Sequence, residues 1–233
     1  MKIKLNKKPK SPILIEGFPG FGLVGTIATE FLIEHLDTEV IGKIIFDELP
    51  PIVAVHDNKV VEPLGIFYNK KYNVVILHAV SASTGFEWDL ADMLLNLAKD
   101  LQVKEIISLE GVGSSQAQTE SKAFYYSNHK IDEKKIGIGP LKEGIIMGVT
   151  GALMLRAEKS PVSCFFADTH SNMPDSKAAA KIIEVLDKYL NLEVNYKPLL
   201  EEAEKFEEKL KGILASSQQA TDESDKKRLS YVG

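Results

Sequence analysis

The chain has 233 residues, a net charge of -5, 44% hydrophobic and 26% charged residues, and one cysteine, Cys164. That length gives one large or two small domains with a core that needs no staples. The acidic balance argues against a general nucleic-acid binder, and a lone cysteine excludes an internal disulfide. Residues 1–10 are basic but lead into no signal-like apolar core. No apolar run is long enough for a membrane helix. A soluble cytoplasmic protein, with no nucleic acid and no membrane among its partners, is the expectation.

Residues 13–15 are a short apolar, β-branched run that predicts a buried strand. Gly17, Pro19, Gly20 and Gly22 then forbid regular structure and admit positive φ. From Leu23 the spacing turns helical, with Val24, Ile27, Ala28, Phe31, Leu32 and Leu36 on one stripe. Gly20-Phe21-Gly22-Leu23-Val24-Gly25 fits the G-x-G-x-x-G pattern of dinucleotide sites, and a second apolar run over 40–46 ends at Asp47-Glu48, where a ribose-binding acid would sit. Against that, residues 16–19 separate the strand from the first glycine of the motif, and Pro19 deletes an amide donor. The other reading is a tight strand-to-helix turn whose glycines permit close packing.

A third strand is expected over 52–56, after Leu49-Pro50-Pro51, with a hairpin turn at Asp57-Asn58-Lys59 and short runs at 60–61 and 64–68. Residues 72–80 predict a fully buried strand, since Val74, Val75, Ile76 and Leu77 are consecutive. After a loop over 81–85, Trp88, Ala91, Leu94, Leu95, Ala98 and Leu101 recur at helical spacing. A strand over 106–109 ends at Glu110-Gly111-Val112-Gly113. An exposed loop over 114–122, a strand over 123–128 and a second glycine-rich bend at 137–140 follow. Residues 143–158 predict a helix with Ile145, Ile146, Val149, Leu153 and Met154 on its apolar side. Gly144, Gly148 and Gly151 weaken it by about 1 kcal/mol each. Residues 161–167 predict a last strand, and Asp175 is placed to cap a helix whose inward side carries Ala178, Ile182, Ile183, Val185, Leu186 and Leu190.

Strands thus alternate with helices from 13 to 190. The fold class expected is α/β, a mostly parallel central sheet flanked by helices, with an antiparallel piece over 52–68. The last forty residues differ. Leu199, Ala203, Phe206, Leu210 and Ile213 form a short heptad-like seam, which either docks on its own domain or pairs between subunits. Residues 216–228 carry no apolar side chain larger than alanine and are expected to be disordered. The terminal Leu229-Ser230-Tyr231-Val232-Gly233 puts an apolar tip on a polar tether, as a short linear motif would. The expected division is a domain over 1–195, a C-terminal helix over 196–215 and a tail over 216–233.

Chemistry is sparse. His35, His56, His78, His129 and His170 show no metal-ligand spacing, so no metal and no cofactor are expected. His78 precedes Ser81 and Ser83, and Asp168-Thr169-His170 ends another strand, but no G-x-S-x-G nucleophile elbow supports a catalytic set. No catalytic residue is assigned. Cys164 reads as an inert core thiol. Glu16, Glu110 and Asp168 each end or follow a strand and could converge at one sheet edge with shifted pKa values. The alternative is that each caps a loop.

Taken together, Gly17-Phe18-Pro19-Gly20-Phe21-Gly22-Leu23-Val24-Gly25, Leu49-Pro50-Pro51, Glu110-Gly111-Val112-Gly113, the glycine-spaced segment 144–155, Pro174-Asp175 and residues 196–210 resemble the PAC2 family, proteasome assembly chaperone 2-like proteins, in its archaeal branch. The resemblance covers about residues 12–214. It implies a fold like that of purine nucleoside phosphorylases without their catalytic site. It also implies a homo-oligomer, a tetramer or pentamer, that binds the α-subunits of the 20S proteasome through its C-terminal tail, without ATP. The family tail motif has tyrosine next to last after an apolar residue. Here Tyr231 is third from last and follows Ser230, so Leu229, Tyr231, Val232 and Gly233 depart from the pattern. A tether of about a dozen polar residues would span ~20 Å, and several tails displayed at once would add their grip. The competing expectation is an enzyme that binds a nucleotide or nucleoside on the loop 17–25.

Overall fold

The computed structural model describes residues 1–48, 53–56, 59–80, 84–113, 121–158, 160–169 and 173–201. In chain order they form β1 (Lys2–Leu5), β2 (Ile13–Gly17), a single 3-10 turn (Phe21–Leu23), α1 (Val24–His35), β3 (Glu39–Ile45), β4 (Ala54–His56), β5 (Lys59–Val61), β6 (Leu64–Asn69), β7 (Val74–Ala79) and α2 (Glu87–Leu101). Then come β8 (Glu105–Gly113), β9 (Ala123–Ser127), α3 (Glu133–Ile136), β10 (Gly139–Pro140), α4 (Gly148–Arg156), β11 (Val162–Thr169), α5 (Ser176–Leu190) and α6 (Lys197–Glu201).

The α/β class read from the sequence is the fold observed. A nine-stranded sheet runs in the order β1-β3-β6-β7-β2-β8-β11-β9-β10, and β4-β5 pair separately. Its centre is parallel: β7, β2, β8 and β11 all point the same way. β6, β3 and β1 extend one side antiparallel, and β9 joins β11 antiparallel on the other. The outer strands are poor templates for further pairing. β1 alternates exposed lysines with half-buried apolar residues, and β10 has two residues, one of them Pro140.

The central strands are apolar on both faces because helices cover both. Ile15, Ile76, Ile107, Leu109 and Phe165 pack under α1 and α5. Their strand neighbours Leu14, Val75, Leu77, Ile106, Cys164 and Phe166 pack under α2 and α4. This is the two-residue period of a strand buried on two sides. Asp175 caps α5 as expected, accepting the Ala178 amide at 2.9 Å.

Several expectations are corrected. The helix expected from 143 begins only at Gly148, whose φ of +72° no regular helix admits. Ile145 therefore lies outside it and is 87% exposed rather than inward. Trp88 is half-exposed, with Arg156 stacked 5.1 Å from its ring centroid. β1 and α3 carry too few residues to show a period, and neither was expected. The breaker at 49–51, the hairpin turn at 57–58, and most of the loop expected over 114–122 lie outside the described residues. Of the C-terminal helix, α6 is described. Leu199 there is 2% exposed and belongs to the core of its own chain, while Ala203, Phe206, Leu210 and Ile213 lie outside the described residues.

Candidate functional site

The strands β2, β7, β8 and β11 all end on one side of the sheet, and the bend between β2 and α1 lies over those ends. Its glycines are filled by protein. A Cβ on Gly17 would run into the Gly25 carbonyl and stand 2.7 Å from Thr29 Cγ2. A Cβ on Gly25 would strike the Leu109 carbonyl and lie 3.0 Å from Gly17 Cα. α1 thus crosses β2 and β8 with backbone against backbone. Gly22 has φ +63°, and Leu23 follows with φ +50°, an uncommon conformation for a branched side chain. The Asp175 amide donates to Gly22 O at 2.9 Å and the Thr169 hydroxyl donates to Asp175 Oδ2 at 2.8 Å, tying the bend to α5. Val24, Gly25 and Thr26, the first turn of α1, are all buried. The atoms nearest a Cβ at Gly25, Gly22 and Gly20 belong to Leu109, Thr169 and Glu110 respectively.

Beneath the bend lie two desolvated carboxyls. Glu16 pairs in register with Ser108, and Glu110 stands two residues further along β8, so the strand period puts all three on the α2-α4 face. Glu16 is fully buried; its Oε2 accepts the Phe18 amide at 3.2 Å, and its Oε1 has no hydrogen-bond partner among the described residues. Glu110 is 8% exposed. Its Oε1 accepts the Gly111 amide at 3.0 Å and its Oε2 the Thr150 hydroxyl at 3.3 Å, and Thr150 is 2.9 Å from Ser108 Oγ. Burial pushes Glu16 up to about 7, against the opposing pull of the Ser108 hydroxyl and the Phe18 amide. Burial, then the neighbouring Glu16 charge, pushes Glu110 up to about 8. Asp168 does not join them: its carboxyl accepts the Lys122 amide where β9 approaches β11. Cys164 is buried behind the pair, and burial drives its thiol well above the ordinary range.

Beside Glu110 a cleft of about 250 Å³ opens between the bend and the residues leading into α4, lined by Phe18, Gly20, Phe21, Ile146 and Met147 among others. Its lip is apolar and in water: Ile145 is 87%, Met147 60% and Phe21 37% exposed.

No Ser-His-acid arrangement emerges from the described histidines. His78 is buried with Nδ1 2.9 Å from Thr29 Oγ1 and Nε2 2.8 Å from Glu30 Oε2. His129 lies at the opposite end of the sheet. There Glu105 Oε1 at 3.1 Å and Ser163 Oγ at 3.2 Å both approach its Nε2, so the ring cannot relay a proton between them. His35 stacks on Phe31 at 3.8 Å between ring centroids. Ser81, Ser83, His170 and the side chain of His56 are outside the described residues, as are Leu229, Tyr231, Val232 and Gly233. No cluster of three or more His, Cys, Asp or Glu able to hold a metal occurs among the described residues, and no described helix is long and apolar enough to cross a membrane.

Of the acids singled out from sequence, the fold brings together Glu16 and Glu110. Sequence reasoning missed Ser108 and Thr150, which bridge to them. Ser108 had a signal, as the lone polar residue inside the run 106–109; Thr150 had none.

The fold and this site define a class: α/β proteins with a parallel sheet core, a closely packed glycine bend over the strand ends, and a pair of buried acids beneath it. The chain belongs to the PAC2 family, whose model matches residues 14–214. Among solved structures it is similar to Pyrococcus furiosus PbaA, an archaeal homolog of proteasome-assembly chaperone, at 29% identity and TM-score 0.81 over 94% of this chain and all of that one. It shares its fold with Pyrococcus furiosus PbaB, an archaeal proteasome activator, at 23% identity and TM-score 0.73 over 91% of this chain and 98% of that one. An uncharacterised protein of Methanocaldococcus jannaschii, MJ0106, is 28% identical over 228 residues, 96% of this chain and 94% of its own.

Proposed function

We propose that the protein is a non-enzymatic, ATP-independent proteasome assembly chaperone or activator that binds the α-ring of the 20S proteasome. The observation that carries this reading is the likeness to PbaA along 94% of the chain, together with membership of the PAC2 family. Contact with the α-subunits is made by the tail, residues 216–233, through Leu229, Tyr231, Val232 and Gly233. A cytoplasmic homo-oligomer, a tetramer or pentamer, displays several tails at once, so that weak single contacts become a firm hold. The residues Ala203, Phe206, Leu210 and Ile213 supply the seam between subunits, since Leu199 is already covered by its own domain.

Pull-down of 20S particles by the full chain and by a chain lacking residues 229–233 tests this. Loss of the particle from the truncated chain is expected; equal recovery by both would sink the tail mechanism. A thermal-shift series with NAD, ATP and nucleosides tests the enzyme reading. A flat response is expected, because a bound ligand would raise the melting temperature by mass action.

A further inference from the structure

The geometry points to the cleft between residues 18–21 and 145–149 as an anchor pocket for one lysine side chain of a protein partner. The pocket holds about 250 Å³, room for one long side chain. Glu110 is the titratable group among the described residues that line it, and no basic residue is among them. The walls formed by Phe18, Phe21, Ile146 and Met147 suit a butyl stem, and the carboxyl on the wall suits the ammonium at its end. Glu110 already accepts from the Gly111 amide on Oε1 and the Thr150 hydroxyl on Oε2, and the Phe21 amide also pulls on the carboxylate, which leaves single lone pairs rather than a free edge for a guanidinium fork. A compact ammonium fits that arrangement better.

Two further observations favour a protein as the source. Ile145, Met147 and Phe21 form an exposed apolar lip around the opening, as a buried anchor in a water-excluding ring requires. The carboxyl on the cleft wall is also paired with a second acid behind it, Glu16, whose charge opposes its own. A cation at Glu110 would neutralise the pair at that point. The groups facing Glu110 are Glu16 from β2, Ser108 from β8, Thr150 from α4 and Cys164 from β11, none of them a cation. This site is independent of the tail and would act on the body of the molecule.

The test uses the full chain with methyl signals of Ile146 and Met147 followed by NMR. Probes are Nα-acetyl-lysine methylamide, the matching capped norleucine, and 1,5-diaminopentane. Saturable shifts are expected from the capped lysine, with norleucine at least tenfold weaker. Because an ionised Glu110 is needed, affinity should rise about tenfold from pH 7 to pH 9, as the ionised fraction grows from about a tenth to about nine tenths. Glu110→Gln should abolish binding. Ile145→Ser, at an exposed position where folding is not at issue, should weaken it several-fold. Absence of saturation, equal binding of norleucine, tighter binding of the diamine than of the capped lysine, or unaltered affinity in Ile145→Ser would each overturn the assignment.

Discussion

Glu16 on β2 and Glu110 on β8 are neighbours on one face of the sheet, both removed from water, and the charge of the first raises the second above its already elevated value. In the unfolded chain both would titrate near 4.5; folded, they hold their protons to about 7 and about 8. The folded state therefore binds more protons across that window, and stability falls as pH rises through it. The loss accumulates between pH 5 and pH 9, the window between the unfolded and the folded values. Urea midpoints should fall across this range in the native chain and stay nearly flat when both acids are glutamine. A native midpoint that rises with pH would show that the pair is ionised in the fold.

The contact between Gly17 and Gly25 sets how close α1 can come to the sheet. An alanine at either position meets backbone, Gly25 O or Leu109 O, which cannot swing aside. Gly17→Ala or Gly25→Ala should cost about 3 kcal/mol or more, or prevent folding. Gly113→Ala and Gly139→Ala, where a Cβ meets nothing within 4 Å, should stay within about 0.5 kcal/mol of the native chain. Denaturant melts of the four variants decide this, and equal stability among them would contradict it.

Asp175 joins three elements. Its carboxyl caps α5 at the Ala178 amide and accepts from Thr169, and its own amide holds Gly22. Asp175→Ala removes the side-chain bonds and keeps the amide, so a loss of about 1–2 kcal/mol is expected. Asp175→Asn, which keeps an acceptor, should recover most of it in the same urea titration.

Leu199 closes the core over α5 from the start of the C-terminal helix. Leu199→Ala should destabilise the subunit by about 2–4 kcal/mol through transfer and cavity costs. Light scattering should show the particle mass unchanged while the melting temperature drops. A drop in mass with unchanged melting temperature would move Leu199 to the contact between subunits.

Much of the fold was legible because its signals are local. The runs at 13–15 and 74–77 are apolar throughout, as strands covered on both faces must be. The stripes of α1 and α5 repeat at the helical period over enough residues to stand out, and Asp175 announced its helix by residue type alone. β1 and α3 are too short to carry a period, and Gly148 begins a helix that the apolar spacing places from 143. Ile145 shows the consequence: placed inward by periodicity, it lies at the surface because the helix starts later.

By itself the sequence determined the layered class and the strand ends at which acids would appear, which follow from the period and chemistry of neighbours along the chain; the family was legible as a resemblance of its motifs. Only the tertiary structure decided that Glu16 meets Glu110 while Asp168 turns to Lys122, and that the glycines of the bend pack against Leu109, Glu110 and Thr169. Those outcomes depend on the register between strands far apart in sequence and on how near α1 approaches them, and no local pattern encodes either distance.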